Sequence, residues 1–430
     1  MEQTLFKPED MGGISLEEVI EAYYDCRHNK RNTMNQLKFE LDYERELIDL
    51  WQELNEHRYK PRRSIAFIVD HPVKREIFAA DFRDRVVHHL IYRRVMPLLE
   101  KQFLTDSYAT QVGKGTLFGI QRVEQHIRDC SENYTCDCWI MKLDISGYFM
   151  SINKQLLYEC IRDFLEPRYQ KEQLPMLLYL LRKTIFNRPE RHCARKVPKA
   201  RWVGLPRNKS LFSTDGSNGL PIGNLTSQML ALLYLDGLDH KITEEWGVPH
   251  YGRYVDDMVL VHPSAEYLLE VREKINNWLK ERGLRLHPKK MYLQHYTKGV
   301  MFVGGMIKPG RKYISKRTVG RLFARIHWYN EWLAETEDKR RDEIESMVAC
   351  MNSYLGMMRH YQSNRIFHRM MRRITPLWYR YTYISKRGPQ VKLVPVHKKR
   401  SALPLCSAKN RPFCVPNNIV VTARLVYYGL

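Results

Sequence analysis

The stretch that decides the fold is Arg253-Tyr254-Val255-Asp256-Asp257-Met258-Val259-Leu260-Val261, in which two adjacent carboxylates interrupt an apolar run. The apolar, valine-rich segments on both sides predict two short strands. The pattern therefore predicts a β-hairpin with acidic residues at its tip. An Asp-Asp pair taken alone commonly does no more than form a turn, so its role depends on the rest of the chain.

A third carboxylate, Asp144, ends another short apolar run about a hundred residues earlier. Residues 139–143 predict a strand, and apolar residues at helical spacing predict a helix that begins near Asn153. Neighbouring carboxylates in an apolar setting repel each other and lose hydration unless a cation neutralises them. Two Mg²⁺ ions, or Mn²⁺ in their place, about 3.5–4 Å apart can activate a 3′-hydroxyl and stabilise a leaving pyrophosphate. Asp144, Asp256 and Asp257 therefore predict a two-metal site.

The charge balance indicates a polyanionic partner. The 430-residue chain carries 70 Lys and Arg against 48 Asp and Glu, a net charge of +22. Nucleic acid is the leading candidate, with a solvated basic surface or a membrane-adsorbing patch as the alternatives. The sequence contains no signal peptide and no apolar run near the roughly 18 residues of a membrane span, so we expect no membrane partner. Nine cysteines without a CxxC pair indicate reduced thiols in a cytoplasm, and the Cys136-x-Cys138 spacing lacks the further ligands of a zinc site.

Five blocks, in one order, resemble the motifs of reverse transcriptases. Motif A is matched by Leu143-Asp144-Ile145-Ser146-Gly147-Tyr148-Phe149, and motif C by Tyr254-Val255-Asp256-Asp257. Motif B, a glycine turn that opens a helix, is matched by Gly219-Leu220-Pro221-Ile222-Gly223-Asn224-Leu225-Thr226-Ser227-Gln228. Motifs D and E are matched by Leu284-Arg285-Leu286-His287-Pro288-Lys289-Lys290 and Phe302-Val303-Gly304-Gly305. Residues 73–77, 84–89 and 107–108 resemble the fingers blocks of bacterial, group-II-intron-like and retron enzymes, so the resemblance covers roughly residues 60–380.

The resemblance implies roles for the acidic and basic residues of the catalytic motifs. Asp144 and Asp256 would be metal ligands, Asp257 would close the metal site, and Ile145 would belong to the metal-binding positions. Lys290 falls where the family carries a lysine proposed to protonate the leaving pyrophosphate, and the adjacent Lys289 is its rival.

The resemblance also implies a binding site for the incoming nucleotide. The implied dNTP-binding residues are Lys74, Arg75, Arg63, Phe149, Ile222 and Gly223, and the implied primer grip is Phe302, Val303, Gly304 and Gly305. Phe149 would be the aromatic gate that rejects a ribose 2′-hydroxyl, which implies DNA synthesis. Arginine suits bidentate phosphate contact. The alternatives are an ordinary core aromatic for Phe149 and a solvated hairpin face for the three cations.

Motif B departs from the common pattern of the family. Most reverse transcriptases have glutamine at the position of Ile222 and proline at that of Gln228. The variant here resembles the reverse transcriptases of diversity-generating retroelements, which copy a template RNA with errors mainly at adenines. An aliphatic side chain in place of a polar one removes a contact that could orient the nucleotide, and discrimination falls where a polar contact is missing. The hypothesis is an error-prone enzyme, bacterial or phage-encoded, with template RNA, dNTPs and an accessory variability protein as partners.

The expected fold is α+β, a right-hand polymerase with fingers, a palm with an antiparallel sheet backed by helices, and a helical thumb. The expected domains are an N-terminal region with fingers (1–133), a palm (134–310) with a basic insert (187–218), a thumb (311–384) and a C-terminal extension (385–430). Other functions stay open: a defence-associated or retron-type reverse transcriptase that copies a noncoding RNA, a non-catalytic RNA-binding protein on a polymerase fold, and a metal-dependent nuclease.

Overall fold

The computed structural model describes residues 13–28, 33–70, 73–336, 338–387 and 390–396. The chain divides into two compact units, Met1–Tyr296 and Thr297–Leu430. Each unit has a hydrophobic core of its own. Within the described residues, no helix is long and apolar enough to span a membrane.

The first unit combines helices with two sheets. Its described helices are α1 (Leu16–Arg27), α2 (Met34–Glu40), α3 (Tyr43–Asn55), α4 (Phe82–Gln102), α5 (Thr116–Cys130), α6 (Tyr148–Ser151), α7 (Lys154–Leu165), α8 (Leu174–Ile185), α9 (Leu225–Tyr234), α10 (Asp236–His240) and α11 (Ala265–Glu281). Its described strands are β1 (Ile65–Val69), β2 (Arg75–Ala79), β3 (Trp139–Asp144), β4 (Ala194–Arg195), β5 (Tyr251–Tyr254), β6 (Asp257–His262) and β7 (Tyr292–His295).

Side-chain caps explain where several helices begin. Asn153 Oδ1 accepts hydrogen bonds from the backbone N–H groups of Gln155 and Leu156 at 2.9 and 3.0 Å, so α7 begins at Lys154, as the helix predicted near Asn153 requires. Such bonds satisfy N–H groups that have no partner inside the helix. Ser264 caps α11 in the same way, by accepting from the N–H of Tyr267.

The central sheet has the strand order β5-β6-β3-β7, and its neighbouring strands are antiparallel. The hairpin predicted at residues 253–261 is confirmed by β5 and β6, and the strand predicted at residues 139–143 is confirmed by β3. Helices α5 and α11 contact β6. The sheet therefore places the end of β3 next to the turn between β5 and β6.

A second sheet joins the predicted fingers hairpin to the insert, which we define as residues 187–218. Strands β1 and β2 pair antiparallel, from Ile65 opposite Ala79 to Val69 opposite Arg75. Residues 71 and 72 of the predicted turn lie outside the described residues. Strand β4 of the insert adds to β1 in parallel. The remainder of the described insert consists mainly of short 3₁₀ turns between prolines.

The second unit contains a three-stranded sheet and a helical bundle. Its described elements are β8 (Val300–Phe302), β9 (Gly305–Lys308), β10 (Arg311–Ile314), α12 (Lys316–Glu335), α13 (Arg341–Met358), α14 (Asn364–Arg373), α15 (Trp378–Tyr381), β11 (Thr382–Arg387) and β12 (Gln390–Pro395). Strand β12 pairs with β11 and contacts α13, and Leu393 is buried in the core of this unit. The remainder of the predicted C-terminal extension, residues 397–430, lies outside the described residues.

Candidate active site

The three predicted metal-binding aspartates meet where β3 ends and the β5–β6 hairpin turns. Asp144, the last residue of β3, lies directly opposite Asp257, the first residue of β6. Asp256 lies in the turn between β5 and β6. Directly opposed residues of an antiparallel pair have their side chains close together. The local pairing of the sheet therefore assembles carboxylates that are more than a hundred residues apart in the sequence.

The turn before Asp256 has an unusual backbone conformation. Val255 has φ +56°, in the left-handed region that a β-branched residue rarely adopts. Arg253 Nη1 donates a hydrogen bond of 2.9 Å to the Val255 carbonyl oxygen. The Arg253 guanidinium is fully buried and also forms an ion pair with the buried Asp239. The buried pair therefore holds the conformation of the turn that presents Asp256 and Asp257.

The site is electrostatically unfavourable without a cation. Burial raises the pKa of Asp256 to about 7, and the negative charges of Asp144 and Asp257 contribute to the rise. Burial also raises the pKa of Asp257, although the neighbouring Lys142 opposes this shift. These directions are the expected consequence of like charges in a poorly hydrated site.

Two lysines partly neutralise the carboxylates. Lys290 Nζ lies 3.0 and 2.9 Å from the two oxygens of Asp144. Lys142 Nζ lies 3.2 Å from Asp257 Oδ1. Lys142 precedes Asp144 by two residues on β3 and so projects to the same face of the sheet. The predicted proton donor, Lys290, is therefore bound to a candidate metal ligand, whereas the side chain of its rival Lys289 is exposed.

The donor chemistry fits a divalent cation, although the side chains have not converged on one. Carboxylate oxygens are the ligands that Mg²⁺ prefers. Ile145 could contribute only its backbone carbonyl, since its side chain is aliphatic and buried. In the part of the chain that the structure describes, no group of three His, Cys, Asp or Glu side chains is arranged to hold a metal. The three aspartates lie close enough for the charges of Asp144 and Asp257 to raise the pKa of Asp256, yet Lys142 and Lys290 occupy oxygens of Asp257 and Asp144. A cation would have to displace these lysines in order to bind the same oxygens.

Phe149 and Ile222 belong to one small apolar cluster. Both pack half-buried against a core formed by Ala66, Phe78, Met150 and Leu211. The backbone N–H of Leu220 donates to the Phe149 carbonyl at 2.8 Å, which joins motif B to α6. The structure thus brings the predicted steric gate and the aliphatic residue of motif B together.

Motif B is also joined to the predicted fingers hairpin. The Phe78 N–H donates to the Ile222 carbonyl at 2.8 Å. Gly223 has φ +116°, and a Cβ at this position would lie 2.8 Å from Ile77 Cγ2. Glycine at position 223 therefore permits the close approach of the two segments.

The three predicted triphosphate-binding cations have different environments. Arg75 is exposed on β2, and its positive charge acts on the nearby Tyr254, whose pKa is raised by burial and lowered by Arg75. Lys74 Nζ instead donates to the Val203 carbonyl at 2.7 Å, and Arg63 Nη2 donates to the Cys193 carbonyl at 3.3 Å. Arg75 is thus brought near the catalytic hairpin, while Lys74 and Arg63 contact the insert.

The predicted primer grip forms the hairpin between β8 and β9 in the second unit. Phe302 ends β8 with its side chain buried, and Gly305 begins β9. Val303 and Gly304 form the turn with φ +37° and +90°. The first three residues of the motif thus provide a buried anchor and a tight turn.

Several residues that shape the site were not predicted from the sequence. Lys142, Asp239 and Arg253 were not selected, although each contacts the catalytic strands or their turn. The sequence feature that could have revealed them is a charged residue within or next to an apolar element. Lys142 lies within β3, and Asp239 follows the apolar α9. Glu76 was also missed, and it is fully buried beside Arg75.

Comparison with known proteins agrees with the fold and the order of the motifs. The sequence pattern of the family "Reverse transcriptase (RNA-dependent DNA polymerase)" matches residues 74–307, more than half of the chain. The chain therefore belongs to the reverse transcriptase family, and its α+β fold is that of a right-hand polymerase, as expected from the sequence. Members of the family use divalent metal ions.

A curated relative and two solved structures are similar to this chain. Protein YkfC of Escherichia coli (strain K12) is 25% identical over 274 residues, which are 56% of this chain and 65% of YkfC. An apo telomerase from Candida tropicalis, truncated from its C-terminal domain, has a TM-score of 0.44 at 13% identity and covers 59% of this chain and 55% of its own. A Candida albicans telomerase in complex with a TWJ fragment of telomeric RNA has a TM-score of 0.45 at 11% identity, over 74% and 56% of the two chains.

Proposed function

We propose that this protein is an RNA-directed DNA polymerase that copies a template RNA into cDNA by nucleotidyl transfer. The observation that carries the proposal is the position of Asp144 opposite Asp257, with Asp256 in the adjoining turn, in a member of the reverse transcriptase family. The RNA template and dNTPs are the proposed substrates. The basic charge of the chain suits the backbone of a template-product duplex.

In this mechanism Asp144, Asp256 and Asp257 would hold two divalent ions, Mg²⁺ or Mn²⁺. When bound, the ions would activate the primer 3′-hydroxyl and stabilise the negative charge of the leaving pyrophosphate. Asp144, Asp256 and Asp257 supply carboxylate ligands, and Ile145 supplies a backbone carbonyl. Lys290, once released from Asp144, is a candidate to give a proton to the pyrophosphate.

The neighbouring residues would select and orient the nucleotide. Arg75 lies beside the catalytic hairpin and is suited to grip a triphosphate, because a guanidinium can bind phosphate oxygens in pairs. Phe149 would exclude the 2′-hydroxyl of a ribonucleotide by contact. Lys74 and Arg63 would need to leave their carbonyl partners in the insert before binding a triphosphate.

The test is primer extension on an RNA template with dNTPs and Mg²⁺. We expect the wild type to make DNA and the Asp256→Ala/Asp257→Ala double variant to make at least about 10³-fold less, since ligands of the catalytic ions are lost. Asp215→Ala is the matched control, because Asp215 is an exposed carboxylate of the same unit. Equal synthesis by the wild type and the double variant would refute the mechanism. DNA-binding and RNA-binding activity without synthesis in any condition would favour a non-catalytic protein.

The finer assignment is an error-prone enzyme of a diversity-generating retroelement, with an accessory variability protein as a partner. It is supported by Ile222, an aliphatic side chain packed beside Phe149 where most of the family has glutamine. We expect errors of the wild type to concentrate at template adenines and to fall several-fold in Ile222→Gln, as measured by sequencing the cDNA. Unchanged errors in Ile222→Gln would refute this role of Ile222. Accurate synthesis at adenines would favour the retron-type or defence-associated alternative.

A further inference from the structure

A cavity of about 300 Å³ opens within the insert, and none of the three aspartates lines it. Its walls include two aromatic rings, Trp202 and Phe212, and two cations, Arg195 and Lys199. Ser213 adds a polar group at the edge. Aromatic faces beside positive charges are the combination that binds single-stranded nucleic acid, because a base stacks and its phosphate is neutralised.

The aromatic and cationic groups of the cavity are arranged together. The ring centroids of Trp202 and Phe212 lie 6.1 Å apart at an interplanar angle of 73°. The Arg195 guanidinium lies 4.6 Å from the Phe212 centroid and 5.8 Å from that of Trp202. Arg201 of the same insert is paired with Asp70, but neither Arg195 nor Lys199 forms an ion pair with any residue that the structure describes. The Lys199 charge thus remains available to a phosphate, and the Arg195 charge also acts on the nearby Glu76, whose pKa is raised by burial and lowered by Arg195.

The cavity walls are fixed by one buried carboxylate. Glu76 accepts hydrogen bonds from Trp202 Nε1 at 2.7 Å, from Ser210 Oγ at 2.7 Å and from the Leu211 N–H at 2.6 Å. Glu76 itself is completely buried on β2. Because these bonds are satisfied inside the protein, the walls need little reorganisation before a ligand enters.

The same carboxylate connects the cavity to the candidate active site. Glu76 directly follows Arg75 on β2, and the rings of Trp202 and Phe212 pack in the apolar cluster that contains Phe149 and Ile222. The cavity therefore belongs to the same packed region as the proposed nucleotide-selecting residues.

We infer that this cavity binds one unpaired nucleotide of an RNA strand, with the base against Trp202 and Phe212 and a phosphate at Arg195 and Lys199. An unpaired nucleotide fits because a paired base has no free face for stacking and a duplex is too wide for the cavity. The inference rests on the proposed function in that it takes RNA as the strand that the protein holds.

The test measures binding of a 12-nucleotide single-stranded RNA to the full chain, without dNTPs or divalent ions. We expect Phe212→Leu, which keeps an apolar side chain but removes the stacking face, to weaken binding about 5- to 100-fold. We expect Arg195→Gln/Lys199→Gln to weaken binding about 10-fold and to reduce the slope of log affinity against log salt by about 0.7 for each lost phosphate contact. Ultraviolet crosslinking of the RNA should label a peptide within residues 187–218.

The matched control is Arg191→Gln/Lys196→Gln, which removes two exposed cations of the insert that do not line the cavity. Equal losses in the pocket and control variants would overturn the inference, because they would indicate diffuse charge attraction. An unchanged affinity of Phe212→Leu for the RNA would overturn the inference as well. The binding assay contains neither dNTPs nor divalent ions, so failure of the polymerase assay and failure of this pocket are distinguished.

Discussion

Arg253 donates a hydrogen bond of 2.9 Å to the carbonyl oxygen of Val255, two residues further along the chain and one residue before the adjacent aspartates. Val255 is held in a left-handed conformation that a β-branched residue adopts only under constraint. Since Arg253 is also bonded to the buried Asp239, the conformation of the catalytic turn depends on a charge pair that lies outside the motif itself. The pair thus acts on the site by positioning the turn.

Loss of this buried pair is expected to destabilise the fold. Arg253→Met should lower the free energy of unfolding by about 3–5 kcal/mol, because it leaves the Asp239 carboxylate buried without its partner. Arg272→Met is the matched control, since Arg272 pairs with the exposed Glu273 and such pairs contribute about 0–1 kcal/mol. Urea denaturation measures both. Similar small losses in the two variants would show that the buried pair of Arg253 and Asp239 does not stabilise the fold.

Removal of Lys290 is expected to strengthen binding of the catalytic cation. Lys290 Nζ contacts both oxygens of Asp144, so Lys290→Met should lower the half-saturating Mg²⁺ concentration several-fold, whatever its effect on turnover. Lys289→Met, which alters an exposed neighbour, should leave that concentration unchanged. Primer extension across a Mg²⁺ titration provides the measurement. A higher Mg²⁺ requirement in Lys290→Met would show that the lysine does not compete with the cation.

The stability of the folded protein should depend on pH because its three aspartates lie close together. The pKa of Asp256 is raised by burial from 3.8 to about 7 in the folded protein. A raised folded-state pKa gives a contribution to stability that is complete below about pH 4 and is lost as the pH rises through about 7. Without metal, the free energy of unfolding should therefore fall across this range, by at most about 1.4 kcal/mol per pH unit from this one group.

The variant Asp256→Asn isolates this effect, because asparagine does not titrate. Its stability should depend less on pH between 4 and 7 than that of the wild type, as measured by denaturant unfolding at several pH values. Burial also raises the pKa of Asp84 to about 6, but Asp84 is present in both proteins and cancels in the comparison. Parallel curves for the two proteins would contradict the raised pKa of Asp256.

A methyl group at position 223 should disturb the nucleotide site. In Gly223→Ala the new Cβ would meet Ile77 Cγ2 on the strand that carries Arg75, so we expect the KM for dNTP to rise about 10-fold or more. Gly247→Ala is the control, since Gly247 also has a positive φ of +61° but no atom within 4 Å of a Cβ. Steady-state kinetics of primer extension compare the two. Equal effects would mean that backbone strain alone, and not the contact with β2, explains the change.

Phe149 is expected to control the choice of sugar. Its ring packs in α6 against the same apolar cluster as Ile222, so Phe149→Ala should raise incorporation of ribonucleotides about 10-fold or more relative to deoxyribonucleotides. Single-nucleotide extension with rATP and dATP measures the ratio. Met150→Ala creates a cavity in the same apolar cluster and so tests whether any loss of packing there raises ribonucleotide incorporation. An equal change in that variant would argue against a specific gate at Phe149.

The local sequence was sufficient to predict the strands that carry the carboxylates. The apolar, valine-rich segments of residues 253–261 predicted the hairpin of β5 and β6, and the apolar spacing after Asn153 predicted the start of α7. These features depend on neighbours within a few residues, through strand periodicity and a cap. The pairing of Lys74 with Val203 could not be predicted in this way, because those residues are 129 positions apart.

The sequence by itself identified the aspartates that we propose as metal ligands, because carboxylate type and motif order are properties of the chain. The family and the α+β class follow from the same order. Only the tertiary structure decided that Asp144 faces Asp257, that Arg253 and Asp239 hold the turn, and that Glu76 joins the insert to β2. The physical reason is that burial and charge pairing act between segments that are distant in sequence, so their partners are set by packing and not by local pattern.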